Sequence, residues 1–195
     1  MDIFKITRSK ARTKILKHFF LKKNEKYYLR QLERILDIPV GNIRRELISL
    51  EKMGLFLKEK KGKEVYYFLN TDLGVFKEIN KIISSTIGIE AILKEGFQKI
   101  QGIQISFIYG SVAKGEEDGL SDVDVFIIGE VEEDVVLGIV RGLEKEVSRE
   151  INYTIFTATD LLRGLKKEKV FLKDVLSGEK IFLIGDKDDL EKIIR

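Results

Sequence analysis

Two short polar signatures constrain the fold of this chain most strongly. One directly follows an apolar strand-like segment, and the other stands at the start of the next such segment. Ile103–Tyr109 is an apolar segment that runs directly into Gly110, and Asp122 and Asp124 open a second apolar segment. Successive side chains of a strand point to opposite faces, so the two aspartates lie on one face. Carboxylates held side by side repel each other unless a cation neutralises them, which favours Mg²⁺ at this position.

Gly110 and Ser111 predict a phosphate-binding turn beside these aspartates. A glycine lets the backbone approach a phosphate closely, and the serine hydroxyl can donate to it. The amides that follow are suited to an anion if they begin a helix. Lys114 either neutralises phosphate charge or is an ordinary surface lysine, and a loop rich in glycine and acidic residues then leads to Ser121.

The segment IYGSVAKGEEDGLSDVDVFIIG resembles the signature of the DNA polymerase beta-type nucleotidyltransferase superfamily, and above all its minimal nucleotidyltransferases. The later stretch REINYTIFTATDLL…FLKDVLSGEKIFLIG resembles prokaryotic proteins that join a winged helix to such a domain. The resemblance implies that Gly110 and Ser111 bind a nucleoside triphosphate. It also implies that Asp122 and Asp124 are catalytic and hold Mg²⁺, since active members use two metals in an in-line displacement.

The resemblance also identifies a departure from the family pattern. Active members carry a third carboxylate on a later strand, and here the matching position is Asn152, within a strand predicted from Glu150 to Phe156. An amide cannot act as a base and is a weaker Mg²⁺ ligand. Glu150, on the same strand face, is a less favoured substitute. The domain is therefore expected to bind a nucleotide without transferring it, or to transfer it poorly, and enzymatic activity stays open.

The N-terminal part has the order helix, helix, turn, helix, basic hairpin. Periodicity predicts three helices and two strands, at residues Ser9–Phe20, Leu29–Leu36, Asn42–Met53, Leu55–Lys58 and Val65–Leu69. Gly54 ends the third helix. This order resembles a winged helix-turn-helix of the arsenic-repressor type over about residues 9–72.

One side of the predicted third helix is polar and suited to the DNA major groove. It carries Asn42, Arg44, Arg45 and Ser49, and Arg and Asn can each make two hydrogen bonds to a base. Lysines of the predicted wing can neutralise phosphates, namely Lys58, Lys60, Lys61 and Lys63. In the alternative interpretations, the arginines only solvate a surface helix, or the module binds a protein.

The net charge differs between the N-terminal and the C-terminal parts of the chain. Residues 1–75 carry 18 Lys and Arg against 9 Asp and Glu, a net charge of +9, whereas residues 76–195 carry 17 against 23, a net charge of −6. The whole chain is therefore only +3. A basic first part favours a polyanion such as double-stranded DNA, with ordinary solvated surface as the alternative.

Composition excludes several classes of site. The chain has no Cys and a single His, which excludes disulfides and Cys-based or multi-histidine metal centres. The absence of Cys fits a reducing compartment, and no apolar run is long enough to span a bilayer. Residues 1–4 do not begin like a signal peptide. We therefore expect a cytoplasmic protein without a membrane partner.

These patterns predict an α+β protein. We expect a winged helix-turn-helix over residues 1–75 and a small α/β nucleotidyltransferase-like domain over residues 76–195, with a mixed sheet flanked by helices and a linker helix at about 72–88. The favoured hypothesis is a homodimeric DNA-binding transcriptional regulator whose second domain binds a nucleotide or a partner. The alternative is an active antitoxin-type Mg²⁺-dependent nucleotidyltransferase that modifies a hydroxyl of a partner toxin-like protein or a nucleic acid. A third hypothesis is a scaffold whose two domains serve only for assembly.

Overall fold

The computed structural model describes residues 9–115, 121–167 and 169–194. The acidic, glycine-containing loop predicted at 116–120 and the first eight residues lie outside this part of the chain. The protein is α+β, and it divides into two compact units, residues 1–88 and 89–195. In the described part, no helix is both long and apolar enough to cross a membrane.

In its described residues, the first unit contains four helices and a three-stranded antiparallel sheet of order β1-β3-β2. The helices are α1 (Lys10–Leu21), α2 (Leu29–Leu36), α3 (Val40–Lys52) and α4 (Phe76–Thr86). The strands are β1 (Tyr27–Tyr28), β2 (Phe56–Lys61) and β3 (Glu64–Leu69).

Local signals explain where these elements begin and end. The Ser9 side chain accepts a hydrogen bond from the Arg12 amide at 3.3 Å and so caps α1. Gly54 follows α3 with a φ of +78°, a conformation that glycine adopts without strain. Phe19 of α1 packs edge-to-face on Phe56 of β2, with ring centroids 4.8 Å apart, so the helices and the hairpin share one core.

Helix α4, which we expected to be a linker, is part of the first core. Its Ile79 and Ile83 are buried there, and its Phe76 stacks on Phe20 of α1 at 5.7 Å. The two compact units therefore divide after Gly88 rather than near residue 75, because α4 buries its apolar face against α1.

The part of the second unit that the structure describes forms a four-stranded mixed sheet of order β6-β5-β4-β7, in which β5 and β6 run parallel and the other neighbouring strands run antiparallel. Its strands are β4 (Ile103–Tyr109), β5 (Val123–Gly129), β6 (Ile151–Phe156) and β7 (Ile181–Ile184). Its helices are α5 (Ile89–Phe97), α6 (Gly110–Lys114), α7 (Glu133–Val147), α8 (Ala158–Lys166), α9 (Val170–Ser177) and α10 (Lys187–Ile194).

Helices cover the central strands of this sheet. One face carries Phe107 and Phe126, stacked at 5.3 Å, and shares a core with apolar residues of α8, α9 and α10. On the other face of β5, Val125 and Ile127 are fully buried. Burial on both faces explains why β5 is almost entirely apolar after Asp124, and it leaves the strand ends as the place for polar chemistry.

Candidate functional site

Three neighbouring strands bring Tyr109, Asp124 and Asn152 into one row. In the register of the sheet, Tyr109 of β4 lies opposite Asp124 of β5, and Asp124 lies opposite Asn152 of β6. Asp122 lies one residue before β5, and α6 begins at Gly110, directly after Tyr109. The turn and the two aspartates predicted from the sequence therefore lie together at one end of the sheet.

Gly110 is in direct contact with the carboxylate of Asp124. Its φ is +73°, and a Cβ built on it would lie only 2.6 Å from Asp124 Oδ2. Both the backbone conformation and the lack of space require glycine here. Ser111, which is half-buried, follows at the first turn of α6. The phosphate-binding turn predicted from the sequence thus lies against one of the two predicted metal ligands.

The carboxylate of Asp124 lies in an environment that disfavours its charge. Burial raises the pKa of Asp124, the neighbouring charge of Asp122 raises it further, and a hydrogen bond from Asn152 acts in the opposite direction. Asp122 is exposed. A cation bound between the two carboxylates would relieve both the desolvation and the repulsion.

Asn152 lies beside both aspartates, at the position where the resemblance described above implies a third carboxylate in active members. Its Nδ2 lies 3.4 Å from Asp122 Oδ2, and its side chain also hydrogen-bonds to Asp124. The amide therefore donates to both aspartates and cannot accept a proton from a substrate. Glu150 has an exposed side chain, and its backbone carbonyl accepts from the Val123 amide at 2.9 Å.

The donor set fits Mg²⁺ that arrives with a nucleotide. Among the described residues, no group of three or more His, Cys, Asp or Glu is placed to hold a metal ion. Mg²⁺ commonly binds through one or two carboxylates together with substrate phosphates and water, rather than in an all-protein cage. Asp122 and Asp124 supply two such carboxylates beside a turn that can accept phosphate.

The region of the chain that contains the whole site matches the model of one protein family. The model of the family described as "Polymerase beta, Nucleotidyltransferase" matches residues 91–188, half of the chain, including the turn, both aspartates and Asn152. The chain belongs to the polymerase beta nucleotidyltransferase family. The comparison with curated proteins finds no match for it.

Three solved structures similar to this chain are toxin–antitoxin complexes. One, a toxin–antitoxin with AMP-PNP, has a TM-score of 0.39 and 13% identity over 54% of this chain and 80% of that chain. An MntA–HepT complex has a TM-score of 0.35 and 11% identity over 54% and 78% of the two chains. The tri-AMPylated HEPN toxin of Shewanella oneidensis with the MNT antitoxin has a TM-score of 0.34 and 14% identity over 60% and 80%.

The nucleotidyltransferase domain contains one positioning contact that sequence reasoning missed. Arg149 Nε donates to the backbone carbonyl of Ser121 at 2.6 Å, just before Asp122. Together with the hydrogen bond from the Val123 amide to the Glu150 carbonyl, this contact holds the segment that carries Asp122 at the start of β6. Arg149 lies 28 residues from Ser121 in the chain, and no local pattern signals the pairing.

Part of the predicted DNA-contacting set lies on one exposed side of α3. Arg44 and Arg45 are exposed and Asn42 is half-buried, with Arg45 Nη2 3.4 Å from Asn42 Oδ1. Ser49 differs from these residues, because its hydroxyl accepts a hydrogen bond of 3.1 Å from Arg12 Nη2. Arg12 also pairs with Glu46 at 2.7 Å, and this carboxylate is buried in the first unit. The polar group of Ser49 therefore already has a partner within the protein.

The predicted wing lysines also fall into two groups. Lys58 Nζ lies 2.8 Å from Glu51 Oε1, and this hydrogen bond raises the pKa of Lys58. Lys60, Lys61 and Lys63 are exposed at the tip of the β2–β3 hairpin. Positive charge available to a polyanion is thus concentrated at the tip rather than along the strand.

Proposed function

We propose that the second unit is an active nucleotidyltransferase that transfers a nucleoside monophosphate from a Mg²⁺-bound triphosphate to a hydroxyl group. The observation that carries this proposal is the contact between the Gly110 turn and Asp124, with Asp122 beside them, in a member of a nucleotidyltransferase family. The family match favours transfer over the DNA-binding regulator that charge and helix order first suggested.

Each residue of the site has a distinct role in the proposed reaction. The turn at Gly110 and the Ser111 hydroxyl would hold the terminal phosphates, and Asp122 and Asp124 would hold Mg²⁺. Bound Mg²⁺ supplies charge neutralisation and polarisation of the phosphate oxygens. The acceptor oxygen forms a bond to the α-phosphorus, the bond from that phosphorus to the bridging oxygen breaks, and pyrophosphate leaves.

Asn152 determines where the proton of the acceptor hydroxyl goes. Because its amide has no basic group, the proton passes to solvent or to a basic group that the acceptor itself supplies. Transfer to a simple alcohol is therefore expected to be slow. We propose a toxin-like partner protein as the acceptor, with a nucleic-acid hydroxyl as the other class to be tested.

The decisive experiment compares α-labelled with γ-labelled ATP, with Mg²⁺, in the presence and absence of co-purifying proteins. Nucleotidyl transfer places the α-label, but not the γ-label, on the acceptor, and Asp122→Ala abolishes it. The proposal fails if no acceptor is labelled under any of these conditions, or if Asp122→Ala labels as well as the wild type.

We also propose that the first unit is a winged helix-turn-helix that binds double-stranded DNA. The observation that favours this second function is the exposure of Arg44 and Arg45 on one side of α3, together with three exposed lysines at the hairpin tip. Ser49 and Lys58 are left out of the contacting set because both are engaged within the unit. A homodimer would let two copies of α3 contact two half-sites.

A further inference from the structure

An aromatic surface adjoins the proposed triphosphate site. Tyr109 lies opposite Asp124 in the sheet, and the hydroxyl of its ring hydrogen-bonds to the Thr154 side chain of β6. The centroid of the Tyr109 ring lies 6.3 Å from that of Phe126 and 6.2 Å from that of Phe171.

Phe171 of α9 is the outer member of this surface. Its ring contacts Tyr109 edge-on, and its centroid lies 6.5 Å from that of Phe126, yet 45% of the residue is exposed. Leu172 and Val175 of the same helix are buried in the core. Packing of α9 on the sheet therefore does not require an aromatic side chain at position 171, and part of the Phe171 ring faces solvent.

We propose that Phe171, supported by Tyr109, is the stacking surface for the nucleobase of the bound triphosphate. This inference rests on the proposed function. A nucleotide whose phosphates lie at Gly110 and Asp124 extends its uncharged base away from them. Tyr109 directly precedes Gly110 in the chain and contacts the partly exposed Phe171 ring, so this aromatic pair adjoins the phosphate position. Every nucleobase has a π-face that can stack on an aromatic ring, and the larger face of a purine stacks more strongly.

The test measures binding of Mg·ATP, Mg·CTP and Mg·tripolyphosphate by calorimetry to the full chain. In the wild type, ATP binds more tightly than CTP, and CTP more tightly than inorganic tripolyphosphate, which has no base. Phe171→Ala weakens ATP binding by about five- to tenfold, removes the preference for ATP over CTP, and leaves tripolyphosphate binding unchanged. Phe171→Trp retains the preference.

A matched control is Val135→Ala. Val135 is 46% exposed on α7, close to the exposure of Phe171, and is not part of the core beneath the proposed surface. Its replacement should change none of the three affinities. Thermal melts of each variant identify any that fails to fold, and Phe171→Trp then provides the comparison within folded protein.

Four outcomes overturn the inference. If Phe171→Ala binds ATP as tightly as the wild type, or loses ATP and tripolyphosphate affinity to the same extent, Phe171 does not hold the base. If wild-type protein binds ATP no better than tripolyphosphate, the base contributes nothing to binding, and the stacking proposal is wrong while the proposed phosphate site is retained. If wild-type protein binds neither ligand, the proposed function fails and this inference fails with it.

Discussion

A Cβ at position 110 would lie 2.6 Å from Oδ2 of Asp124, so the turn after β4 and the carboxylate on β5 form one structural unit. Gly110→Ala must displace either the turn or the carboxylate, and it also places alanine at a φ of +73°. We expect it to weaken Mg·ATP binding by at least about tenfold and to cost about 1–2 kcal/mol of stability. Calorimetric titration and urea denaturation measure the two effects.

The variant Gly115→Ala separates the effect of backbone strain from the effect of contact with Asp124. Gly115 has nearly the same φ, +70°, but among the described residues no atom lies within 4 Å of a Cβ built there. This variant should lose similar stability yet bind Mg·ATP like the wild type. Equal loss of binding in both variants would show that backbone strain, rather than contact with Asp124, explains the effect.

Asn152→Asp tests whether the missing carboxylate limits the reaction. An aspartate opposite Asp124 supplies a basic group and a third oxygen ligand, so we expect nucleotidyl transfer to rise by at least about tenfold. Without metal, the third negative charge should lower the melting temperature, and Mg²⁺ should restore it.

The control for this prediction is Asn152→Ala, which removes the amide without adding a base. It should give no gain in transfer. The account of Asn152 is contradicted if Asn152→Asp transfers no faster than wild type, or if Asn152→Ala gains as much.

Asp124→Asn should stabilise the metal-free fold at neutral pH. The pKa of Asp124 is raised in the folded state, chiefly by burial, so its ionised form destabilises the fold and protonation relieves this as the pH falls. We expect the melting temperature of Asp124→Asn to exceed that of wild type by about 1–3 °C at neutral pH. This difference should shrink as the pH falls through the raised pKa.

Thermal melts in chelator across the acidic range measure this difference. A less stable Asp124→Asn at neutral pH, or a difference that does not vary with pH, would contradict the electrostatic description of the site.

Local sequence patterns predict much of the sheet of the second unit and of its candidate site. The predicted strand Ile103–Tyr109 matches β4, and the mixed sheet flanked by helices is present. Alternation along a strand predicts that Asp122 and Asp124 share a face, and the family signature places Asn152 in the neighbouring strand, where the parallel register aligns it with Asp124. These features depend on short spacings or on a signature, so one chain suffices to predict them.

Long-range contacts were not predictable in the same way. Ser49 looks like an outward polar residue on helical periodicity, but Arg12, 37 residues away, donates to it. Helix α4 looks like a linker, yet it packs on α1. Phe171 follows no motif, and its place beside Tyr109 arises only when α9 packs on the sheet. Such contacts are fixed by tertiary packing, for which local spacing carries no signal.

Replacing Arg44 and Arg45 together with alanine tests the second proposed function. Both are exposed on α3, and loss of paired hydrogen bonds to bases should weaken binding to selected duplexes by at least about tenfold. Fluorescence anisotropy against duplexes enriched from a random pool measures this. Lys77→Ala with Lys81→Ala is the control, because it removes the same charge from the exposed surface of α4. Equal losses in the two double variants would indicate nonspecific charge rather than a recognition helix.

The central claim, that Asp122 and Asp124 hold a metal–nucleotide complex, is tested most directly by electron paramagnetic resonance of Mn²⁺ as a substitute for Mg²⁺. The free Mn²⁺ signal is titrated with ATP alone, with ATP and wild-type protein, and with ATP and the Asp122→Asn, Asp124→Asn double variant. We predict that wild-type protein removes more free Mn²⁺ than ATP alone and that the double variant does not. Equal removal by the wild type and the double variant, or no removal by wild type beyond that of ATP, would contradict the claim.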